Sequence, residues 1–347
     1  MDKKFIASQN DVARAANVSR STVSRALTNH PGLPAETKQR ILDIANKLGY
    51  RKNAVVSMLS AQIRSSRLRK VESTLAYVTT LSSPRIHEVN PTYYQFFLGA
   101  KKRAEELGYG LDTIWRKEGA MTADRATKII TTRGIRGLIL APRPNALAHI
   151  LLQWDKFAAV CIGHPLPAPK VHFSGAWHYD LVSKALRMIT KHGYRKVGFA
   201  IAPDSDKYSQ YSFSARYHLF QSTLTAAHRM PLLYRPFSKD RYDLERFERW
   251  FFKNRPEVIL CTGPLVLNWL ATLGVAVPDD VAIVDLCLAN EDGSTAGVFE
   301  RPEVIAAAAV DLVVEQLHSN VLGPPAHPKS VLTEGVWVEG ATLPRRK

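Results

Sequence analysis

The densest run of reactive side chains in the sequence is Ser19, Arg20, Ser21, Thr22, Val23, Ser24 and Arg25. An arginine forms two parallel hydrogen bonds to one guanine edge, and serine or threonine hydroxyls bond bases or phosphate oxygens, so this mixture suits contact with nucleic acid. Spacing sorts the residues. Val23, Ala26 and Leu27 recur at three and four positions and share a helix face, which leaves Arg20, Ser21 and Arg25 pointing away. Catalytic chemistry has no comparable signal: no Walker loop, GxSxG or HExxH stands anywhere, nor a GxGxxG after a strand. Cys161, Cys261 and Cys287 lie far apart without CxxC or CxxH spacing, so neither a metal site nor a disulfide framework is expected, and buried thiols are the default. The expectation is a non-enzyme with no cofactor and no metal.

Those side chains need helices to present them. Ser8 followed by Asp11 has the spacing of a helix start, and Asn17 stands where a tight turn requires a left-handed residue. Ser19 can cap the next helix, Arg20 to Leu27. After the break at Asn29-His30-Pro31-Gly32, a third helix begins at Pro34, with Ile41, Leu42, Ile44, Ala45 and Leu48 expected inward and Gly49 closing it. Three short helices around one small core are predicted.

Charge agrees with that assignment. The 347 residues carry a net charge of +16, and residues 1–70 hold 14 Lys and Arg against 4 Asp and Glu, so ten of the sixteen excess charges sit in the first fifth of the chain. Such an excess attracts polyanions by neutralising phosphates. A hydrophobic content of 46% suffices for a large core beyond that module. No run of about 18 uncharged apolar residues occurs, and the opening residues lack a signal-peptide stretch, so a cytoplasmic location is expected.

The stretch DVARAANVSRSTVSRALTNHPGLPAETKQRILDIANKLGYRKNA resembles the DNA-binding domain of the LacI/GalR family of bacterial regulators, with VSxxTVSRAL and LGYxxN as its signature. The resemblance implies that Arg20 and Ser21 read bases in the major groove. Ser19, Thr22, Ser24 and Arg25 then match groove or phosphate contacts, and Ser8 and Asn53 join the DNA-binding set. Residues 53–60 resemble the family's hinge helix, in which Leu59 matches the leucine wedged into the minor groove. Two departures stand out: Asn17 replaces the usual Gly, and Val56 replaces a small Ala.

From Thr74 onward, short apolar runs alternate with amphipathic stretches, the pattern of βαβ units and parallel sheets. Strands are expected at 75–78, 137–141, 158–162, 197–200, 258–260 and 281–284, with helices at 96–107, 180–191, 215–228, 265–273 and 304–317. Phrases such as RAEELGY, RGIRGLILAP, HGYRKVGFA, GVAVPDDVAIV and VLTEGVWVEGATL resemble the periplasmic-binding-protein-like core of the same family. The fold class expected is a small all-α helix-turn-helix headpiece plus an α/β core of two doubly wound parallel-sheet lobes. The domain boundaries expected are a headpiece at 1–52, a hinge helix and basic linker at 53–71, and a core at 72–347. Lobe 1 takes 72–170 and 298–330, and lobe 2 takes 171–297 and 331–347.

A cleft between such lobes is where open α/β sheets bind ligands. Arg216 matches the family's effector-binding arginine. Elsewhere the pattern departs: Cys261-Thr262-Gly263-Pro264 replaces an Asn-Asp pair, Asp285-Leu286-Cys287-Leu288 replaces Gly-Phe-Asp-Asp, and Gly163 stands where an Asp is common. The candidate effector contacts are Tyr94, Phe97, Trp115, Arg143, His164, Arg216, Trp269 and Cys287, with Tyr93 and Tyr211 nearby. An uncharged or acidic sugar derivative is the expected ligand. The function expected is an effector-controlled repressor that binds a palindromic double-stranded operator as a homodimer. The alternatives are an activator and, less in keeping with the basic headpiece, a solute-binding protein of the same core fold.

Overall fold

The computed structural model describes residues 8–27, 32–50, 73–115, 122–143, 150–234 and 241–346. Asn53, Leu59, Val56 and the rest of the expected hinge segment lie outside the described residues.

Three helices form the first unit: α1 (Gln9–Ala15), α2 (Arg20–Leu27) and α3 (Ala35–Lys47). α1 starts at a capping box, in which the Ser8 hydroxyl accepts the Asp11 N–H at 3.3 Å and the Asp11 carboxylate accepts the Ser8 N–H at 2.9 Å. It ends on Asn17, whose φ of 51° is the left-handed turn that lets Val18 N–H reach back to the Ala13 carbonyl. The core of this unit is Val12, Ala13, Ala16, Val23, Ala26, Ile41 and Ala45, with Leu27, Leu33, Ile44 and Tyr50 at its edge. Leu48 is a correction to the sequence reading. It is 40% exposed, because the helix has already ended when Gly49 turns at φ 67°.

The remaining chain builds two six-stranded sheets. The first contains β1 (Ser73–Thr79), β2 (Tyr109–Trp115), β3 (Gly137–Leu140), β4 (Ala158–Ile162), β5 (His172–Ala176) and β11 (Ser330–Thr333), in the order β2-β1-β3-β4-β5-β11. The second contains β6 (Val197–Ile201), β7 (Leu233–Tyr234), β8 (Val258–Cys261), β9 (Ala282–Asp285), β10 (Gly297–Phe299) and β12 (Val336–Val338), in the order β7-β6-β8-β9-β10-β12. Neighbours run parallel except β12, which is antiparallel to β10. The central strands read Gly-Leu-Ile-Leu, Ala-Ala-Val-Cys-Ile and Val-Ile-Leu-Cys and are buried throughout, as strands covered on both faces must be.

Helices α4 (Pro91–Glu106), α5 (Ala123–Thr132) and α11 (Pro302–His318) cover the first sheet. The second has α6 (His178–Lys191), α7 (Pro203–Tyr208), α8 (Ser212–Ser222), α9 (Arg241–Asn254) and α10 (Leu265–Thr272). α4 and α11 lie unusually close: a Cβ on Gly99 would stand 2.4 Å from the Glu303 backbone, so only glycine fits. The Ser174 hydroxyl donates to the Ile305 carbonyl at 2.7 Å and fastens α11 to β5.

The chain passes between sheets three times, at Trp177, at Glu300-Arg301 and at Glu334-Gly335. β5 belongs to the first sheet, so the passage expected at residue 171 falls after Ala176, and β10 belongs to the second sheet. β5 escaped the sequence reading because His-Phe-Ser-Gly-Ala has neither an apolar run nor alternation.

Candidate functional site

Two surfaces carry the polar chemistry. The first is the outer face of α2. Val23 and Ala26 are buried against α1 and α3, which fixes the helix and leaves Arg20, Ser21 and Arg25 exposed, with Thr22 and Ser24 half-buried. Ser19 caps the helix by accepting the Thr22 N–H at 3.1 Å, and its hydroxyl pairs with those of Ser21 at 2.7 Å and Thr22 at 2.8 Å. Arg40 reaches from α3 to the Ala16 carbonyl at 3.1 Å and locks the turn ahead of α2. The result is an exposed arginine and a row of hydroxyls on a rigid helix, the arrangement that enters a major groove. Ser8 is a helix cap with its hydroxyl donating to Asp11 at 2.6 Å.

The second surface is the crevice at the carboxyl ends of the strands. In each sheet the order reverses beside the first strand, between β1 and β3 and between β6 and β8, and such switch points open a crevice there. From the first lobe come Arg143 after β3 and His164 after β4. From the second come Tyr208 of α7, and His178, Asp285, Cys287 and Glu300. The His164 and Tyr208 rings are 4.1 Å apart, and the Tyr208 hydroxyl donates to the Arg143 carbonyl at 3.1 Å, so the lobes meet here. Gln95 of α4 also donates across to the Ala289 carbonyl at 3.1 Å.

Electrostatics differ between the walls. On the second lobe, Asp285 accepts the N–H groups of Gly263 and Cys287, both at 2.9 Å, while burial raises its carboxyl. The Cys287 thiol donates to Glu300 Oε1 at 3.4 Å, so this residue bridges the two carboxylates, and burial pushes the thiol up. Burial, helped by Asp285 and opposed by the Cys287 bond, pushes Glu300 up to about 7. His178 lies 4.0 Å from Glu300 with its ring edge-on to Phe213, and burial pushes it down to about 4, so it is neutral near pH 7. On the first lobe, His164 is pushed down to about 3, by burial and then by Arg143 and His178. Arg143 is 1% exposed and donates to the Pro165 carbonyl at 3.3 Å.

The sequence candidates therefore separate. Arg143, His164 and Cys287 come together in the crevice. Tyr94 and Phe97 stack on each other beside Tyr77 in the first lobe, 6.3 Å between rings. Trp115 ends the edge strand β2 and donates to the Leu81 carbonyl at 2.9 Å. Arg216 bonds the Ser183 hydroxyl at 2.8 Å with its guanidinium over Tyr179, which ties α8 to α6. Trp269 is a correction: it is 5% exposed in the core under α9 and α10, 5.2 Å from the Phe247 ring. Sequence reasoning missed Glu300, His178 and Tyr208. Each follows a strand end by a few residues, and the Glu-Arg-Pro step after β10 was the readable signal for Glu300. Cys161 and Cys261 are buried and Cys287 is half-buried, all three as free thiols. Among the described residues, no group of three metal-binding side chains is assembled, and no helix is long and apolar enough to cross a membrane.

A groove-reading helix joined to a two-lobed α/β core defines a helix-turn-helix DNA-binding transcription regulator. Residues 9–53 match the family model of bacterial regulatory proteins, lacI family, and residues 186–343 match that of the periplasmic binding protein-like domain. The HTH-type transcriptional regulator reg1 of Streptomyces lividans is 23% identical over 96% of this chain and 95% of its own length. Two solved structures share the fold over nearly all of both chains. The CelR–cellobiose complex has a TM-score of 0.56 at 16% identity, covering 97% of this chain and 99% of the other. The lac repressor dimer bound to operator and the anti-inducer ONPF has 0.53 at 15% identity, covering 98% and 100%. The chain therefore carries a lacI-family helix-turn-helix domain followed by a periplasmic binding protein-like domain. The relatives are regulators, and nothing among them points to catalysis.

Proposed function

We propose that this regulator is a non-enzymatic, effector-controlled repressor of the cytoplasm, which binds a palindromic operator as a homodimer. Its headpiece spans residues 1–52, its hinge 53–71 and its ligand-binding core 72–347. Arg20 and Ser21 read base edges, Ser19, Thr22, Ser24 and Arg25 contact groove or phosphate, and Asn53 and Leu59 act where hinge meets minor groove. The observation that carries the reading is the exposed Arg20-Ser21 face of a helix whose other side is fixed in a three-helix core. The effector binds in the inter-lobe crevice near His164 and Cys287, and its differential affinity for the DNA-competent and incompetent arrangements sets occupancy of the operator. The solved repressor on its operator and the solved regulator holding cellobiose support both halves of this mechanism.

Selection from a randomised palindromic DNA library, followed by gel shifts across a salt series, tests it. A sequence-selective shift from a dimer is expected, with one or two base positions losing selectivity in Arg20→Ala. Binding of equal strength to every sequence would reduce the headpiece to phosphate attraction and overturn the proposal.

A further inference from the structure

The second-lobe wall of the crevice brings two carboxylates together. Cys287 joins them, its N–H on Asp285 at 2.9 Å and its thiol on Glu300 at 3.4 Å. Among the described residues no cation answers them. Among the described residues the one ion-pair partner of Glu300 is His178, 4.0 Å away and neutral near pH 7, and Asp285 has none. On the first-lobe side, both ring nitrogens of His164 are buried; the Arg143 and Gly163 backbone lies near the ring, but neither nitrogen makes a well-aligned hydrogen bond among the described residues. A neutral imidazole of this kind donates one hydrogen bond and accepts another, as a hydroxyl requires. Arg143, the group an acidic ligand would seek, is covered and turned to the Pro165 carbonyl.

Resting on the effector reading above, we propose that the effector is a hydroxylated amine, held with its ammonium group against Glu300 and Asp285 and a hydroxyl on His164. The Tyr208 ring, 4.1 Å from His164 and tilted 40° to it, flanks the apolar face of the same ligand. This differs from the uncharged or acidic sugar derivative expected from sequence, which counted the carboxylates lost from the family pattern and overlooked Glu300.

The amine pairs with an ionised Glu300, and that group ionises near 7, so affinity is low at acid pH and rises until Glu300 is fully charged. The titratable groups around Glu300 set few competing slopes: His178 on α6 and His164 opposite stay neutral above pH 6, and Cys287 stays a thiol. Asp285 is raised by burial and held against that rise by the Gly263 and Cys287 N–H groups.

The test is thermal shift and calorimetry on the full chain with three matched sets: 1-amino-1-deoxyhexitols and hexosamines, their parent alditols and hexoses, and the corresponding uronic acids. At least one amine is expected to bind, with its parent weaker by about tenfold or more, as loss of a charge-assisted bond implies. For an aminohexitol, whose amine stays protonated, the affinity should rise about tenfold from pH 6 to pH 8, following Glu300. Glu300→Gln should remove that rise, and His164→Asn should weaken binding while keeping it. The pH slope of the unaltered chain decides the matter should Glu300→Gln fail to fold. Binding by hexoses or uronic acids with none by amines, or amine binding indifferent to Glu300→Gln, overturns the inference and leaves the effector mechanism standing. If none of the three sets alters melting or operator affinity, the effector mechanism falls, and the inference with it.

Discussion

The headpiece and the crevice are built on opposite plans. Among the described residues, the core that fixes α2 is built from residues 8–50, through caps and apolar positions three and four apart. The crevice gathers residues from 143 to 300 at the ends of six different strands. Local rules of helix periodicity specify the first surface, and topology specifies the second. A reading surface of the first kind can change its sequence preference by single substitutions without disturbing its support, whereas a change in the crevice is felt by two sheets at once.

The largest expected effect breaks the autonomy of the headpiece. Val23→Asp places an unpaired charge in its core, a penalty of about 3–5 kcal/mol that a three-helix unit cannot absorb. Selective DNA binding should disappear while the melting transition of the α/β core stays in place, and a fall in both would show that the regions are not independent. Next comes Gly297→Ala, where the new Cβ would lie 2.0 Å from the Asp285 carbonyl oxygen. Because that neighbour is backbone, the cost should be about 3 kcal/mol, read as a lowered core melting temperature with headpiece DNA contacts intact. Arg20→Ala should remove about 2 kcal/mol of discrimination at one base pair per half-site and leave melting unchanged. A preserved base preference in a binding selection would take Arg20 out of direct readout. Ser8→Ala, the smallest, should cost the headpiece about 1 kcal/mol through the lost capping box, measurable by hydrogen exchange in α1.

The same contrast explains what was legible beforehand. The three headpiece helices, with Ser8, Asn17 and Ser19 as their punctuation, follow from spacing alone, whereas Leu48, expected inward, falls one residue past the end of its helix and is exposed, and Leu42, expected inward too, is half-buried outside the core cluster. Strands β1, β3, β4, β6, β8 and β9 announce themselves as apolar runs. The edge strand β2 does not, because Tyr-Gly-Leu-Asp-Thr-Ile-Trp is partly exposed on both faces, and the two-residue β7 leaves no pattern at all. Trp269 shows the limit for side chains: a helical tryptophan can face a cleft or a core, and only the position of Phe247, brought in by α9, decides. Glu300 shows the reverse, an acid whose neighbours Cys287 and His178 are 13 and 122 residues distant in sequence.

The three passages between sheets also order events during synthesis. The first sheet lacks its last strand until Thr333 has been made, and the second lacks β12 until Val338, whereas the headpiece core, among the described residues, is complete by Tyr50. At about 5–20 residues per second, roughly 280 residues separate these points, on the order of 15–60 s. For that interval a nascent chain carries a finished reading head and an unfinished regulatory body. Neither lobe can close on an effector until translation is almost complete.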